Sequence, residues 1–348
     1  MHSLRKARCW TERKGDLRHF REGRATLRED MRAANGHALS YSAVVRALLV
    51  VNPQATTTTP AGRDVLAHAL ASDVKLEIVE TCYRGHAADA AAQAVVDGFD
   101  LVVAHGGDGT VNEVVNGLLR DGIAGAPMLG IVPGGSANVF AGALGLPRDP
   151  VEATHRLLQA IEHGTSRRIG LGKVQNRWFT FNAGVGLDAD VVAGVERKRA
   201  KGREASPLLY LTTALRSYAK LLRTPARFTV EIPGEDAFTD LGMVFVSNTD
   251  PWTYFGDKAI RLNPSTGFDG GLGLSALRTL RVPTVARYVT QILAHGNPKG
   301  GNLVRRDDVS YVKVKCEEPA NLQVDGDFLG TTTEVEFRAV PEALTVCI

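Results

Sequence analysis

Residues 105–110 read HGGDGT and combine three glycines with one carboxylate. Gly106, Gly107 and Gly109 carry no side chain that would keep a ligand away from the backbone amides. An apolar run ends just before them, and a segment with apolar residues at helical spacing follows, so these amides would open a helix whose dipole favours an anion. The residue types therefore predict a phosphate site, although a tight turn between a strand and a helix would use the same glycines.

Asp108 indicates which class of phosphate ligand this loop would bind. A carboxylate among amides that face a phosphate repels the anion unless a cation lies between them, so the aspartate indicates a nucleotide that arrives with Mg²⁺. The segment is not a Walker A motif, because no Gly-Lys-Ser/Thr follows it, and it does not spell GxGxxG.

Strand and helix patterns alternate on both sides of this loop. They predict strands at 47–51, 74–81, 101–104 and 128–132, and helices at 62–71, 87–97, 111–119, 139–144 and 150–163. This order is typical of an α/β fold with an N-terminal doubly wound, mainly parallel sheet, in which ligands lie beyond the carboxyl ends of the strands. Loops at Asn52, Gly106 and Gly134 follow three of the strands, so we expect them to converge at one edge of the sheet.

The sequence after residue 165 has a different pattern. It predicts strands at 169–174, 178–183, 227–232, 241–247, 272–277 and 311–314, interrupted by one helix at 208–222. Strands that follow one another without alternating helices favour a β-rich, antiparallel, sandwich-like second domain.

Composition and charge exclude several classes of protein. The chain has 348 residues, of which 44% are hydrophobic and 23% are charged, as in a soluble globular protein, and no apolar run approaches the roughly 18 residues of a membrane span. The basic excess lies in one short N-terminal tail, which argues against nucleic acid as a partner. The four cysteines have no CxxC spacing, which indicates reduced thiols, no structural zinc and a cytosolic location.

Five motifs together resemble one enzyme family. They are NP at 52–53, GGDGTVNEVVNGL at 106–118, PGGSANVFAGALGLP at 133–147, FNAGVGLDADV at 181–191 and VDGD at 324–327. In this order they resemble the soluble bacterial diacylglycerol kinases, which share their catalytic domain with sphingosine and ceramide kinases. The resemblance implies a lipid kinase that transfers the γ-phosphoryl group of ATP to a hydroxyl group of a diacylglycerol-like or sphingoid lipid, with ATP and Mg²⁺ as cofactors.

The resemblance also implies which residues bind the nucleotide and the metal. The implied ATP contacts are Asn52, Thr81, Gly106, Gly107, Asp108, Gly109, Thr110, Val111, Asn112, Glu113, Gly135, Ser136 and Asn138. Asp108 would act on Mg²⁺ through water. Asp269 corresponds to a position that holds a structural Mg²⁺ in some relatives, although Phe268 stands where relatives often have a second acid.

The implied catalytic carboxylates are Asp325 and Asp327, together with Asp108. The family usually has Asp-Gly-Glu where this chain has Asp325, Gly326 and Asp327. Carboxylates two residues apart on an extended strand share a face, so both could point at one site. The pattern leaves open which of them takes the proton from the lipid hydroxyl, and an Asp-Gly turn at the surface would use the same residues.

The domain organisation follows from the same resemblance. We expect a basic, mostly disordered leader at 1–43, a nucleotide-binding α/β catalytic domain at 44–165, a β-rich lipid-binding domain at 166–330, and a C-terminal segment at 331–348 that returns to the first domain. The expected partner is a lipid presented at a membrane surface, with no transmembrane segment and with the enzyme cytoplasmic and bound to the membrane periphery during turnover. A homodimer is left open.

Two other interpretations use the same residues. An NAD kinase would use the GGDGT loop with a polar dinucleotide as the acceptor. A nucleotide-binding or lipid-binding relative without catalysis is favoured by two departures from the family pattern: the loop at 54–60 lacks an early glycine, and Asp327 is shorter than the usual glutamate.

Overall fold

A computed structural model describes residues 45–199, 207–223, 227–256 and 258–348. Residues 45–348 cluster as one compact unit. The leader predicted at 1–43 lies outside the described residues.

Four parallel strands alternate with helices in the first half of the described chain. The elements are β1 (Arg46–Val51), α1 (Pro60–Ala71), β2 (Lys75–Glu80), α2 (His86–Val96), β3 (Leu101–Gly106), α3 (Asp108–Leu118), β4 (Met128–Pro133), α4 (Val139–Ala143) and α5 (Pro150–His163). The strands lie in the order β2-β1-β3-β4, and each neighbouring pair is parallel. The predicted alternation of strands and helices is therefore confirmed.

Helices cover both faces of this parallel sheet. Leu48 and Val50 of β1 pack in a cluster with residues of α2 and α3, whereas Leu49 and Val51 pack in a second cluster with residues of α1 and α5. Because successive strand residues point to opposite faces, a strand that is buried on both sides must be apolar throughout. The doubly wound architecture expected from the sequence is confirmed.

The second half is rich in antiparallel strands, as predicted. Its elements are β5 (Ser166–Val174), β6 (Arg177–Phe179), β7 (Asn182–Val185), α6 (Leu187–Arg199), α7 (Pro207–Arg223), β8 (Phe228–Glu231), β9 (Phe238–Leu241), β10 (Met243–Ser247), β11 (Thr253–Phe255), β12 (Lys258–Ile260), β13 (Leu272–Leu277), α8 (Val282–His295), β14 (Leu303–Val309), β15 (Tyr311–Val324) and β16 (Asp327–Cys347). The expectation of a single helix here is wrong, because α6 and α8 are helical as well as α7. Valine, threonine and isoleucine make up much of α8, and these β-branched residues obscure a helical pattern.

The long strand β16 joins the two halves into one sheet. It pairs antiparallel with β15 and β5, and its Val346 pairs in parallel with Leu129 of β4. The resulting strand order is β14-β13-β10-β7-β15-β16-β4-β3-β1-β2. The boundary between domains at 44–165 and 166–330 stays a prediction.

Gly117 sets the distance between α3 and α2. A Cβ atom at this position would lie 2.2 Å from the carbonyl oxygen of Ala88 and 2.8 Å from the Cβ of Ala91. Since α3 carries the end of the HGGDGT segment, this close packing also fixes where that loop lies.

We expect Gly117→Ala to lower the free energy of unfolding by about 2 kcal/mol, as measured by chemical denaturation, because α2 and α3 must move apart. In a helix without this close contact, the same substitution would raise the free energy of unfolding, because alanine favours a helix over glycine by about 1 kcal/mol. A decrease would therefore indicate the contact between α2 and α3. Gly267→Ala is the control, because nothing lies within 4 Å of its added Cβ. Equal stability of the two variants would contradict the packing argument.

Candidate active site

The loops that follow β1, β3 and β4 are hydrogen bonded to one another. Asn52 Nδ2 donates to Thr110 Oγ1 at 3.0 Å. Gly134 N donates to Gly106 O at 2.8 Å, and Thr57 N donates to Gly134 O at 2.9 Å. The three loops therefore meet at the carboxyl edge of the parallel sheet.

Glycine is required where the two glycine-rich loops touch. A Cβ on Gly135 would lie 2.6 Å from Gly107 Cα, and a Cβ on Gly134 would lie 3.0 Å from Gly106 Cα. At Gly109, by contrast, nothing lies within 4 Å of an added Cβ. Most of these glycines thus allow the loops to pack together, whereas Gly109 leaves the backbone open to a ligand.

The helix α3 begins at Asp108, earlier than the predicted start at Val111. Gly107 is the residue before its first turn and makes no side-chain cap, so Asp108, Gly109 and Thr110 form that turn. The amides of a first turn have no partner within the helix and lie at the positive end of the helix dipole. Val111 itself packs in the hydrophobic core.

Asp108 connects the HGGDGT loop to the loop after β4. Its Oδ1 accepts a hydrogen bond from Phe140 N at 3.1 Å, at the start of α4. Burial raises the pKa of Asp108 to about 6, against the opposing effect of the backbone amides of Phe140, Val139 and Asn138, and the nearby carboxylate of Asp325 raises it further. A cation beside Asp108 would relieve both burial and repulsion.

Two of the predicted nucleotide contacts shape the loops themselves. Asn138 has a φ of 47°, and its side chain accepts from Gly135 N at 2.9 Å and donates to Gly135 O at 2.7 Å. Glu113 accepts from Gly85 N at 2.9 Å and from Ala87 N at 3.3 Å, which places a carboxylate at the N-terminus of α2. In this structure both side chains hold backbone in place.

The remaining polar contacts predicted for the nucleotide differ in exposure. Ser136 is exposed, and Thr81 is partly exposed, with its amide donating to Val51 O at 2.8 Å. Thr58 was not predicted individually, yet its Oγ1 is buried and has no hydrogen-bond partner. This hydroxyl lies against Gly134, where a Cβ would come within 2.7 Å of it, and a ligand oxygen could satisfy it.

Asp325 and Asp327 are arranged differently from the expectation. Asp325 and Gly326 have φ values of 48° and 81° and form the two-residue turn between β15 and β16, with Val324 paired to Asp327. The expectation that the two aspartates share one face of an extended strand is therefore wrong. The alternative of an Asp-Gly turn is confirmed, but its expected place at the surface is wrong for Asp325, which is only 6% exposed.

Both carboxylate oxygens of Asp325 are saturated with hydrogen bonds. Oδ1 accepts from Phe181 N and Asn182 N, each at 3.0 Å. Oδ2 accepts from Thr180 N at 2.6 Å, from Thr180 Oγ1 at 2.7 Å and from Asn112 Nδ2 at 2.7 Å. Burial raises the pKa of Asp325, and the donors of Thr180, Asn182 and Phe181 oppose that effect.

Asp327 is linked to Asp325 through two intermediate side chains. Asp327 Oδ1 accepts from Arg84 Nη2 at 3.0 Å, and Oδ2 accepts from Arg177 Nη2 at 2.7 Å. Arg177 Nη2 also donates to Asn112 Oδ1 at 2.8 Å, and Asn112 in turn donates to Asp325. Hydrogen bonds thus run from the buried aspartate at the turn to the aspartate that begins β16.

A cavity of about 160 Å³ opens beside Asp327. It is lined by Arg84, Gly85, Ala88, Asn112, Glu113, Asn116, Arg177 and Asp327. The side chain of Asp327 is 25% exposed, whereas Asp325 is almost completely enclosed. The carboxylate of Asp327 raises the pKa of Arg84, whose side chain is 66% exposed. Of the two aspartates, only Asp327 can reach a group bound in this cavity.

Sequence reasoning missed Arg84, Arg177 and Thr180. Arg84 follows β2 at the carboxyl edge of the sheet, where ligands of parallel sheets bind. This position could have identified Arg84 as a candidate site residue. Arg177 has no local signal, because its partner Asp327 lies 150 residues further along the chain. Thr180 also has no local signal in the sequence, since it lies between two short strands and outside the five motifs.

Asp269 forms an exposed ion pair with Arg167. Arg167 Nη2 lies 2.7 Å from its Oδ2, and the Asp269 side chain is 79% exposed. In the described parts of the chain, no group of three or more His, Cys, Asp or Glu residues is placed to hold a metal ion. A structural Mg²⁺ at Asp269 stays a prediction.

Comparison with known proteins agrees with the motifs of this site. The model of the diacylglycerol kinase catalytic domain family matches residues 46–174. The chain is 30% identical over 251 residues to the diacylglycerol kinase of Bacillus subtilis (strain 168), which covers 72% of this chain and 78% of that protein. The crystal structure of a diacylglycerol kinase from Bacillus anthracis str. Sterne has the same fold, with a TM-score of 0.66 and 19% identity over 88% of this chain and 97% of that one. The chain belongs to the diacylglycerol kinase catalytic domain family.

We expect Asp325→Asn to lower the free energy of unfolding by about 3 kcal/mol, because the new amide group would face donors that now bind carboxylate oxygens. Denaturant titration measures the change. Asp327→Asn is the matched control, and because its side chain is partly exposed it should change stability by less than about 1 kcal/mol. A similar loss in both variants would show that Asp325 does not have the structural role described.

The pH dependence of stability tests the burial of Asp108. Its folded pKa of about 6 lies above the ordinary value of 3.8, so between these pH values the folded protein binds more protons than the unfolded chain. Stability from this group is thus complete below pH 3.8, is lost as pH rises from 3.8 through the folded pKa of about 6, and is lower by about 3 kcal/mol above it. Asp108→Asn should remove this loss, so the variant should exceed the wild type in stability at pH 8 and match it near pH 4. A constant difference across this range would contradict the assignment.

Proposed function

We propose that this chain, as a member of the diacylglycerol kinase catalytic domain family, transfers the γ-phosphoryl group of ATP to a hydroxyl group of a diacylglycerol-like or sphingoid lipid. The observation that best supports this reaction is the meeting of three loops around Asp108, which is close enough to Asp325 for the two carboxylates to repel. Hydrogen bonds then connect Asp325 to the partly exposed Asp327. The proposed phosphate site is thus connected through Asn112 and Arg177 to a carboxylate that could accept a proton.

The phosphates of ATP would lie on the first turn of α3 and the loop after β4. Gly109 leaves the backbone of that turn open, and the helix dipole favours an anion there. The unpartnered Thr58 hydroxyl and the exposed Ser136 are available to further phosphate oxygens. The loop at 54–60 would therefore supply a hydroxyl group to the phosphates.

Mg²⁺ suits the carboxylates around this phosphate site. Burial is the main cause of the raised pKa of Asp108, and repulsion by the carboxylate of Asp325 adds to it. Mg²⁺ is commonly held by one or two carboxylates together with phosphate oxygens and water, so a cage of protein carboxylates is not needed. When bound, the ion would neutralise charge on the phosphates. Asp108 is the residue that would hold it.

Asp327 is the proposed general base. It would accept the proton of the lipid hydroxyl, whose oxygen forms a bond to the γ-phosphorus while the bond from that phosphorus to the β–γ bridging oxygen breaks. Arg84 and Arg177 each donate to one oxygen of Asp327 and hold the carboxylate at the cavity. Asp325 does not suit this role, because it is only 6% exposed and its two oxygens together accept five hydrogen bonds, whereas the side chain of Asp327 is 25% exposed at the cavity. It acts as a positioning residue through Asn112.

The domain roles are part of the same proposal. Residues 44–165 supply the nucleotide site, and residues 166–330 supply the carboxylates of the turn and receive the lipid. The segment 331–348 includes the pairing of Val346 with Leu129, which ties the second region to the first. The substrate lipid would be presented at a membrane surface.

A kinase assay with [γ-³²P]ATP and a panel of lipid alcohols tests the function. We expect labelled lipid from the wild type and at least a hundredfold lower rate from Asp108→Ala and Asp327→Ala, because phosphate positioning and proton transfer are lost. Asp64→Ala is the control, since Asp64 is an exposed aspartate paired with Arg63, and it should retain the wild-type rate.

The same assay separates the two rival interpretations. Turnover of NAD without turnover of any lipid would identify an NAD kinase. Nucleotide binding in calorimetry with no phosphorylated product from either acceptor would identify a relative without catalysis. Either result would contradict the proposed lipid kinase, as would an unchanged rate in Asp108→Ala.

A further inference from the structure

The helix α8 carries a stripe of apolar side chains on its exposed side. The stripe consists of Val282, Ala286, Val289 and Leu293, all of which are exposed. Val282 is 56% exposed, and Val289 and Leu293 are each 46% exposed. At about 3.6 residues per turn, these positions lie within about 60° of one another. They form one continuous surface along the helix.

This stripe adjoins the side of α8 that packs on the protein core. Tyr288 is buried in a cluster with Leu277 and Leu280, and Val285 packs against the same cluster. On the helix circumference Val285 lies about 40° from Val289, and Tyr288 lies about 60° beyond Val285. The apolar arc of α8 is thus wider than the part that the core covers, and the uncovered part faces solvent in the described structure.

The charged residues of the segment that contains α8 have a single sign. From Gly270 to Arg306 the sequence contains six Lys or Arg residues and no Asp or Glu. Arg281 and Arg287 flank the stripe and are exposed, and no described carboxylate forms an ion pair with either. A surface that complements this helix must therefore be apolar at its centre and anionic at its border.

The neighbouring helix α7 has a similar exposed face. Leu215 is 59% exposed and Leu222 is 46% exposed, with exposed Arg216 and Lys220 on the same helix. The hydroxyl of Tyr218 donates to Leu280 O at 2.6 Å, just before α8 begins. Two adjacent helices thus combine exposed leucine or valine side chains with exposed Arg or Lys side chains.

A lipid bilayer with anionic head groups has the required complementarity. An interfacial helix places its apolar side chains at the boundary of head groups and acyl chains, while Arg and Lys beside them interact with lipid phosphates. In the described part of the chain, no helix is long and apolar enough to span a bilayer. A helix with a narrow apolar stripe would instead lie in the plane of the interface.

We propose that α8 is a membrane-docking element, which lies on an anionic bilayer with Val282, Val289 and Leu293 in the head-group boundary and with Arg281 and Arg287 at the lipid phosphates. The proposal rests on the proposed function in one respect, because a lipid alcohol must be taken from a membrane. It adds the surface by which the enzyme reaches that membrane and the charge of the lipid that it prefers.

Vesicle sedimentation of the full chain tests the docking surface. The vesicles contain phosphatidylcholine alone or phosphatidylcholine with phosphatidylglycerol. We expect binding only with phosphatidylglycerol, and we expect Val289→Asp combined with Leu293→Asp to weaken it by about tenfold or more, because charge replaces the apolar stripe. Arg281→Glu combined with Arg287→Glu should weaken it by a similar factor.

A matched control keeps this result specific to α8. Val65→Asp combined with Val151→Asp replaces two other exposed valines, 65% and 72% exposed, on α1 and α5. These substitutions add the same charge elsewhere and should leave vesicle binding unchanged. Equal weakening by the control pair and the α8 pair would overturn the proposal, because it would reflect total charge and not this helix.

Kinase activity on a short-chain, monomerically dispersed diacylglycerol separates the docking surface from the proposed function. If the α8 variants keep this activity and lose vesicle binding, both proposals stand. If no variant and no wild type has activity but the α8 variants still lose vesicle binding, docking stands and the kinase function fails. If light scattering shows that the α8 substitutions dissociate a dimer while vesicle binding is unchanged, the stripe binds a second copy of the chain and the docking proposal is wrong.

Discussion

A single enclosed carboxylate, Asp325, holds the candidate site together. Its five hydrogen-bond donors come from the segment between β6 and β7, from the first residue of β7 and from α3, so one side chain fixes a turn, a strand and a helix relative to one another. A buried charge is tolerable only when such donors replace the water that it loses. Through Asn112 and Arg177 this constraint extends to Asp327, which lies at the cavity.

Asp108, unlike Asp325, lowers the stability of the ligand-free protein, although its carboxylate is suited to bind a cation. Its burial raises its pKa to about 6, so the ligand-free protein is destabilised by this charge at neutral pH. An asparagine would remove that penalty but would bind a cation poorly. The loops around Asp108 are nevertheless closely packed, because glycines allow their backbones to approach. The free-energy cost of burying the Asp108 charge is therefore offset by backbone hydrogen bonds between the loops, such as that from Gly134 N to Gly106 O.

The parallel half of the fold could be predicted because its signals are local. Short apolar runs, glycine loops and helical spacing follow one another within a few residues, and the three loops converge as a parallel sheet requires. The Asp-Gly turn at Asp325 has a local signal, but the burial of this aspartate could not be predicted, because its hydrogen-bond donors in residues 180–182 lie more than 140 residues away in sequence. Arg177 was missed for the same reason, and α8 was missed because its β-branched residues resemble a strand. Residues whose role depends on distant partners leave no pattern in the sequence nearby.

The pairing of β16 with β4 has a consequence for biosynthesis. One edge of β4 remains without its neighbour until the ribosome has translated past Val346, although every other strand of the parallel half is complete long before. A nascent chain would therefore expose an unpaired, apolar strand edge during most of translation, which is a typical template for aggregation. Chaperones that cover such an edge would therefore raise the yield of folded protein.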